Sequence, residues 1–255
     1  VFEIIRGTDA LDSTSANREW QSYHDKPADI EEIKFGVPRE YFTHGLDPEI
    51  EKNIKAVISK LEKEGAQIEE ISLPYSEWAL AVYYIIMPAE VSANLARFDG
   101  IRYGRSKINK NEKLQNLLDI YLESRGEGFG AEARRRIMLG TYVLSAGYYD
   151  AYYSRAQKVR QLIKQDFIHA FKEVDAIITP TSPTTAFKFG EKTHDPLSMY
   201  LADIYTVSIN LAGVPAISIP IKEVNGLPVG LQLIGNNFED VKLLKIAKLV
   251  EDMSK

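Results

Sequence analysis

The sequence predicts an α/β fold, and three observations carry that expectation. Short β-branched runs punctuated by Pro and Gly alternate with stretches of helical periodicity. The segment from Ile33 to Leu73 reads as strand, helix, strand, which implies a parallel pair. Asn225-Gly226 separates two further apolar runs and signals a hairpin, hence an antiparallel pair. Parallel and antiparallel strands interleaved with helices make the expected sheet a mixed one.

Val1-Phe-Glu-Ile-Ile-Arg-Gly7 looks like the last turns of an apolar helix closed by Gly7. It has no initiator Met, signal-peptide pattern or N-cap, so we read a chain that begins mid-domain. Thr8 to Asp29 is polar and forms a connector. After a short strand at Ile33 to Val37, Asp47 caps a helix with Pro48 at its first position, and Ile50, Ile54, Val57 and Leu61 recur along one face as far as Gly65. Ala66 to Leu73 alternates at period two, as a second strand. Tyr75 to Phe98 is too continuously apolar for a surface helix and predicts a largely buried helical pair, kinked or broken at Pro88. Lys107 to Lys113 is a charged insertion, and Leu114 to Glu123 reads as a helix. The glycines of Gly126-Glu-Gly-Phe-Gly130 suggest a flexible turn opening onto a helix at Glu132 to Gly140. A long helix should follow from Tyr148 to Phe171, with Tyr148, Tyr152, Val159, Ile163 and Phe167 along one stripe. The remainder reads as a strand at Ala176 to Thr179, a helical stretch between Asp203 and Gly213, strands at Ala216 to Ile221 and Val229 to Ile234, and a closing amphipathic helix from Glu239 to Met253. No internal repeat or low-complexity tract interrupts the pattern.

Composition narrows the function. The net charge of −5 over 255 residues argues against a nonspecific grip on nucleic acid, which needs clustered basic surface. Absence of cysteine removes thiolate nucleophiles, disulfides and Cys-ligated metals, and fits a reducing compartment. No apolar run reaches the roughly 18 residues of a membrane span. His24, His44, His169 and His194 lie far apart, with no pair at helical i, i+4 spacing, so no metal site is expected.

Three residue groups invite a functional reading beside a plain one. Arg134, Arg135 and Arg136 follow one another on a helix and point about 100° apart, so they are either a solvated face or the source of one guanidinium that clamps a carboxylate. Asp203 is either an N-cap for the following helix or a carboxylate partner for an ammonium group. Tyr83 is either a core aromatic or part of a pocket wall. Ser145, Ser182, Ser208 and Ser218 are the serines in or near ordered elements. None sits in a nucleophile-elbow motif, and none has a sequence-adjacent Lys or His. Gly126, Gly128 and Gly130 match neither a dinucleotide nor a phosphate-loop fingerprint.

Asp175 to Pro183, Leu211 to Pro220 and Gly226 to Gly235, in this order, resemble the carboxy-terminal half of the amidase signature family. Gly7 to Thr14, Asn94 to Gly104 and Gly147 to Tyr153 place the resemblance in its tRNA-dependent amidotransferase branch. It implies that residues 1–255 form the carboxy-terminal portion of a single α/β/α domain, its mixed sheet covered by helices on both faces. The Gly/Ser-rich segment and the lysine of the family's Lys-Ser-Ser chemistry have no match here, so no catalytic residue is assigned and the chain by itself is expected to be inactive. By resemblance Arg136 grips the α-carboxylate of glutamine, Asp203 binds its α-amino group and Tyr83 lines the pocket. An Arg and an Asp in these roles would read a free amino acid. The whole enzyme would hydrolyse glutamine and pass ammonia on for conversion of Glu-tRNA(Gln) to Gln-tRNA(Gln). Further implied are a cytoplasmic heterotrimer with subunits B and C, tRNA contacted only through a partner, and ATP and Mg used by a partner subunit. Two alternatives stay open at this point: hydrolysis of a different amide, and a noncatalytic interaction module.

Overall fold

The computed structural model describes residues 1–18, 22–24, 28–42, 45–106, 116–192 and 196–254. The charged insertion at 107–113, His44 and His194 lie outside them. The chain divides into two units, one formed by Val1–Glu77 with Ile163–Lys255 and the other by Trp78–Leu162.

The first unit is built on the expected mixed sheet. Strands β1 (Lys34–Pro38), β2 (Gln67–Ile71), β3 (Ala176–Pro180), β4 (Ala216–Val224) and β5 (Leu227–Ile234) lie in the order β2-β1-β3-β5-β4. The β1 strand is parallel to β2 and to β3, whereas β5 runs antiparallel to both β3 and β4. All five residues of β3 are buried, so the sheet is covered on both faces at its centre. Between β1 and β2 runs α2 (Pro48–Lys63), capped as expected: the Asp47 carboxylate accepts from the Glu49 and Ile50 amides at 2.8 and 3.4 Å. Its buried face carries Ile50, Ile54 and Leu61. Asn53 on that face donates to the Lys222 carbonyl at 3.1 Å and ties the helix to β4. The closing helix α9 (Asp240–Ser254) buries Val241, Leu243, Ile246, Ala247 and Val250. Positive φ at both Asn225 (53°) and Gly226 (75°) marks the turn of the hairpin. Both hairpin strands outrun the apolar runs that signalled them, because a register shift between Ile221 and Val224 carries β4 on through Lys222 and Glu223.

The N-terminal α1 (Phe2–Ile5) is one exposed turn. Later in the first unit come α7 (Pro196–Leu201) and α8 (Val207–Ala212), the latter closed by Gly213 in the left-handed conformation (φ 74°). Tyr41, just after β1, meets Ser208 of α8 at an O···O distance of 2.5 Å, with both side chains buried. The ring of Tyr205 lies 5.6 Å from that of Tyr41.

The second unit is helical and departs from the sequence reading in two places. The segment from Tyr75 to Phe98 is one helix, α3 (Ala79–Leu95), that runs unbroken through Pro88 after a 3-10 turn at Pro74–Trp78. Pro88 cannot donate to the Tyr84 carbonyl, a loss of about 3 kcal/mol in an isolated helix. Burial of Ala79, Val82, Ile86, Pro88, Ala89 and Ser92 on both sides of the break in hydrogen bonding offsets that loss. Gly126 and Gly128 belong to α4 (Leu117–Gly128) rather than to a turn, leaving Phe129 and Gly130 as the link to α5 (Ala131–Val143). Single glycines cost a helix about 1 kcal/mol each, which the Asn116 cap and the rest of α4 tolerate. The expected long helix starts with a π-helical turn at Tyr149–Ser154 and continues as α6 (Arg155–Ala170). The wider turn breaks the stripe, so Ile163 and Phe167 are buried while Tyr148 and Tyr152 are exposed.

Two substitutions test this packing. A Cβ on Gly140 would lie 1.9 Å from the Pro88 carbonyl oxygen. Gly140→Ala gains about 1 kcal/mol of helix propensity but must push backbone aside at a cost of about 1–3 kcal/mol or more, so thermal melting should show a net loss of stability. Tyr41→Phe strands the Ser208 hydroxyl and should cost about 1–3 kcal/mol by urea titration. Burial pushes the Tyr41 phenol up to about 12, against the lowering effect of its bond to Ser208. A raised phenol binds its proton more tightly in the folded state, so this contribution is complete below about pH 10 and is lost as pH rises toward 12. Urea titrations across that window should show a stability decline that Tyr41→Phe flattens.

Candidate functional site

The three arginines diverge as their spacing requires. Arg134 lines a cavity of about 630 Å³ with Tyr121, Leu122, Phe129 and Met138. Arg135 stays at the surface against Glu132, with Nε and Nη2 at 2.9 and 2.5 Å from Oε2. Arg136 turns toward α3. Its Nε donates to Glu132 Oε1 at 2.6 Å, its Nη1 approaches the Met87 sulfur at 3.1 Å, and its central carbon stands 5.8 Å from the Tyr84 ring centroid. Tyr83 packs edge-on against Tyr84 with ring centroids 5.3 Å apart.

The structure therefore brings Tyr83 and Arg136 into one cluster, with Tyr84 as the ring under the guanidinium. Nη2 of Arg136 has no hydrogen-bond partner among the described residues. Burial is the largest single influence and opposes the Arg136 charge, but the Glu132 hydrogen bond together with the charges of Glu132, Tyr84 and Tyr83 outweighs it, and the net shift is upward. Glu132 is held below the usual carboxylate range chiefly by its bond to Arg136; burial opposes this, and the bond to Arg135 and the charges of both arginines add to the lowering. The cluster is thus a fixed cation with donors to spare, able to bind a carboxylate through charge-assisted hydrogen bonds.

Asp203 belongs to the first unit. Its backbone is pinned: the Asp203 amide donates to the Tyr200 carbonyl at 3.1 Å, and its carbonyl accepts from the Thr206 and Val207 amides and from the Thr206 hydroxyl at 3.0 to 3.1 Å. Thr206, not Asp203, occupies the N-cap position of α8, which corrects the N-cap alternative. The exposed Asp203 carboxylate has no hydrogen-bond or ion-pair partner among the described residues. The buried Gln232 of β5 donates to Thr179 Oγ1 at 2.9 Å and to the Tyr205 carbonyl at 3.0 Å, so the centre of the sheet fixes the backbone two residues from Asp203.

Three of the four serines considered from sequence are engaged in hydrogen bonds. Ser145 donates to the Tyr142 carbonyl at 2.7 Å, Ser208 pairs with Tyr41, and Ser218 pairs with Thr181 at 2.9 Å. Ser182 lines a pocket of about 240 Å³ together with Thr181, Thr184, Thr185 and Ser218. Gly230 belongs to its wall because a Cβ there would lie 2.3 Å from the Ser218 hydroxyl. Among the described residues no group of three His, Asp or Glu side chains could hold a metal ion.

Sequence reasoning missed Tyr84, Met87 and Glu132. The Glu132 signal was present as an i, i+4 spacing to Arg136, whereas the roles of Tyr84 and Met87 depend on which face of α3 meets α5.

The amidase family model matches residues 1–244. The A subunit of the glutamyl-tRNA(Gln) amidotransferase of Geobacillus thermodenitrificans is 52% identical over 252 residues, covering 98% of this chain and 51% of that protein. Its counterpart from Clostridium botulinum is 56% identical over 245 residues, covering 95% and 50%. The crystal structure of the corresponding protein from Thermotoga maritima superposes with a TM-score of 0.73 at 39% identity, over 98% of this chain and 49% of that one. The chain spans about half the length of the curated relatives it matches. On the extent of the family match and the identity to these relatives, the chain belongs to the amidase family.

Proposed function

We propose that this chain is the glutamine-orienting, carboxy-terminal half of the glutaminase component of a tRNA-dependent amidotransferase. The observation that carries this reading is the Arg136 cluster, a cation fixed on two edges with Nη2 open, in a chain 52% identical to the A subunit of a glutamyl-tRNA(Gln) amidotransferase. Arg136 takes the α-carboxylate of glutamine, Tyr83 contributes to the wall beside it, and the Asp203 carboxylate, without a partner among the described residues, takes the α-amino group. The complete subunit cleaves the side-chain amide with water, giving glutamate and ammonia. The serine chemistry lies in the portion of the fold that these residues do not match. Ammonia then passes to partner subunits, B and C by the family resemblance, which use ATP and Mg to convert Glu-tRNA(Gln) to Gln-tRNA(Gln) in the cytoplasm. A net charge of −5 is consistent with tRNA being held by a partner.

The test is kinetic and uses the complete subunit. Arg136→Ala leaves the substrate carboxylate without its partner, and Asp203→Ala does the same to the ammonium. Removing one partner of a buried, hydrogen-bonded charge pair costs on the order of 2–5 kcal/mol, so each change should lower kcat/KM for glutamine roughly 30-fold or more. Butyramide, which has neither end group, should lose little in the same variants. Equal losses for the two amides would remove the amino-acid reading and leave a different amide as the substrate.

A further inference from the structure

We infer that Glu132 is the positioning residue for Arg136, holding the Nε edge of the guanidinium so that the Nη edge is the one offered to a ligand carboxylate. The inference rests on the proposed glutamine reading of Arg136. Glu132 and Arg136 are one turn apart on α5, with the acid N-terminal to the base, the favourable order for such a pair. The two carboxylate oxygens divide their work. Oε1 accepts from Arg136 Nε at 2.6 Å, while Oε2 accepts from both Nε and Nη2 of Arg135 at 2.9 and 2.5 Å. Arg135 thereby braces Glu132 from the surface side, where the side chains of Glu132 and Arg135 are 53% and 50% exposed against 27% for Arg136.

A guanidinium can meet a carboxylate in a parallel fork either side-on, through Nε and Nη2, or end-on, through Nη1 and Nη2. Glu132 occupies Nε, which removes the side-on fork. Among the described residues Nη1 meets the Met87 sulfur alone, a weak acceptor that a carboxylate displaces readily. Nη2 has no partner among the described residues, so the end-on fork is open. With the Tyr84 ring to one side, rotation of the guanidinium away from this pose gives up both the Glu132 bond and the ring contact.

The experiment measures glutamine and butyramide kinetics of the complete subunit carrying Glu132→Ala, Glu132→Gln or Arg136→Ala, each checked for an unchanged melting temperature. Glu132→Ala should raise KM for glutamine roughly tenfold with kcat within about twofold, and leave butyramide unaffected. Glu132→Gln keeps an oxygen acceptor for Nε and should restore most of the loss. A lower KM for glutamine in Glu132→Ala would overturn the proposal, because Glu132 would then be a competitor that the substrate displaces. Equal losses for both amides, or a failure of Glu132→Gln to rescue, would overturn it in favour of a merely structural ion pair. Should Arg136→Ala impair glutamine selectively while Glu132→Ala does nothing, positioning by Glu132 fails and the glutamine reading stands. Should Arg136→Ala spare glutamine, both fail together.

Discussion

Gly140 has no Cβ, and α5 uses that absence to lie against the backbone of α3, where any side chain would run into the carbonyl of Pro88. The consequence reaches the candidate site directly. Arg136 is one helical turn before Gly140 and Tyr84 one turn before Pro88, so the approach that the glycine permits also sets the arginine over the tyrosine and beside Met87. A helix interrupted at Pro88 would have freed the Tyr84 end of α3 from that approach. Packing against a partner helix decides the conformation here, and the local cost of the proline is outweighed.

The electrostatics of the cluster follow from its partial burial. A guanidinium stays charged under all ordinary conditions, so burial acts on what surrounds it more than on its own protonation. The neighbouring carboxylate is held in its charged form at lower pH than an isolated glutamate, and two arginines share it. One glutamate against Arg135 and Arg136 leaves a local excess of positive charge on α5. On the first unit, Asp203 is exposed, and its backbone is held by its own turn and, through Tyr205 and Gln232, by the buried centre of the sheet.

Much of this was legible in the residues themselves. The Asp47-Pro48 cap, the period-two run after Gly65, the Asn225-Gly226 turn and the Gly213 stop each act through local chemistry, and each element formed as its signal implied. The failures have two causes. At Pro88 and at Gly126 and Gly128 the local propensity pointed to a break, and helix packing or capping outweighed about 1–3 kcal/mol of preference. At Tyr148 and Tyr152 a π turn shifted the phase of an otherwise correct stripe. Arg136, Asp203 and Tyr83 were singled out by motif resemblance, which supplies positions but no geometry. That Tyr84 rather than Tyr83 lies under the guanidinium, and that Thr206 rather than Asp203 stands at the N-cap position of α8, depends on helix phase finer than a motif can carry.

The proposal is a division of labour, in which these residues would orient glutamine and groups elsewhere in the complete subunit would break the bond. Ammonia release from glutamine by the purified 255-residue chain tests it most directly. Release at the level of buffer alone is expected, since orienting groups without an activated nucleophile cannot form an acyl intermediate. Release above buffer that tracks the chain's concentration and disappears in Arg136→Ala would contradict it, and would place a complete catalytic centre within this sequence.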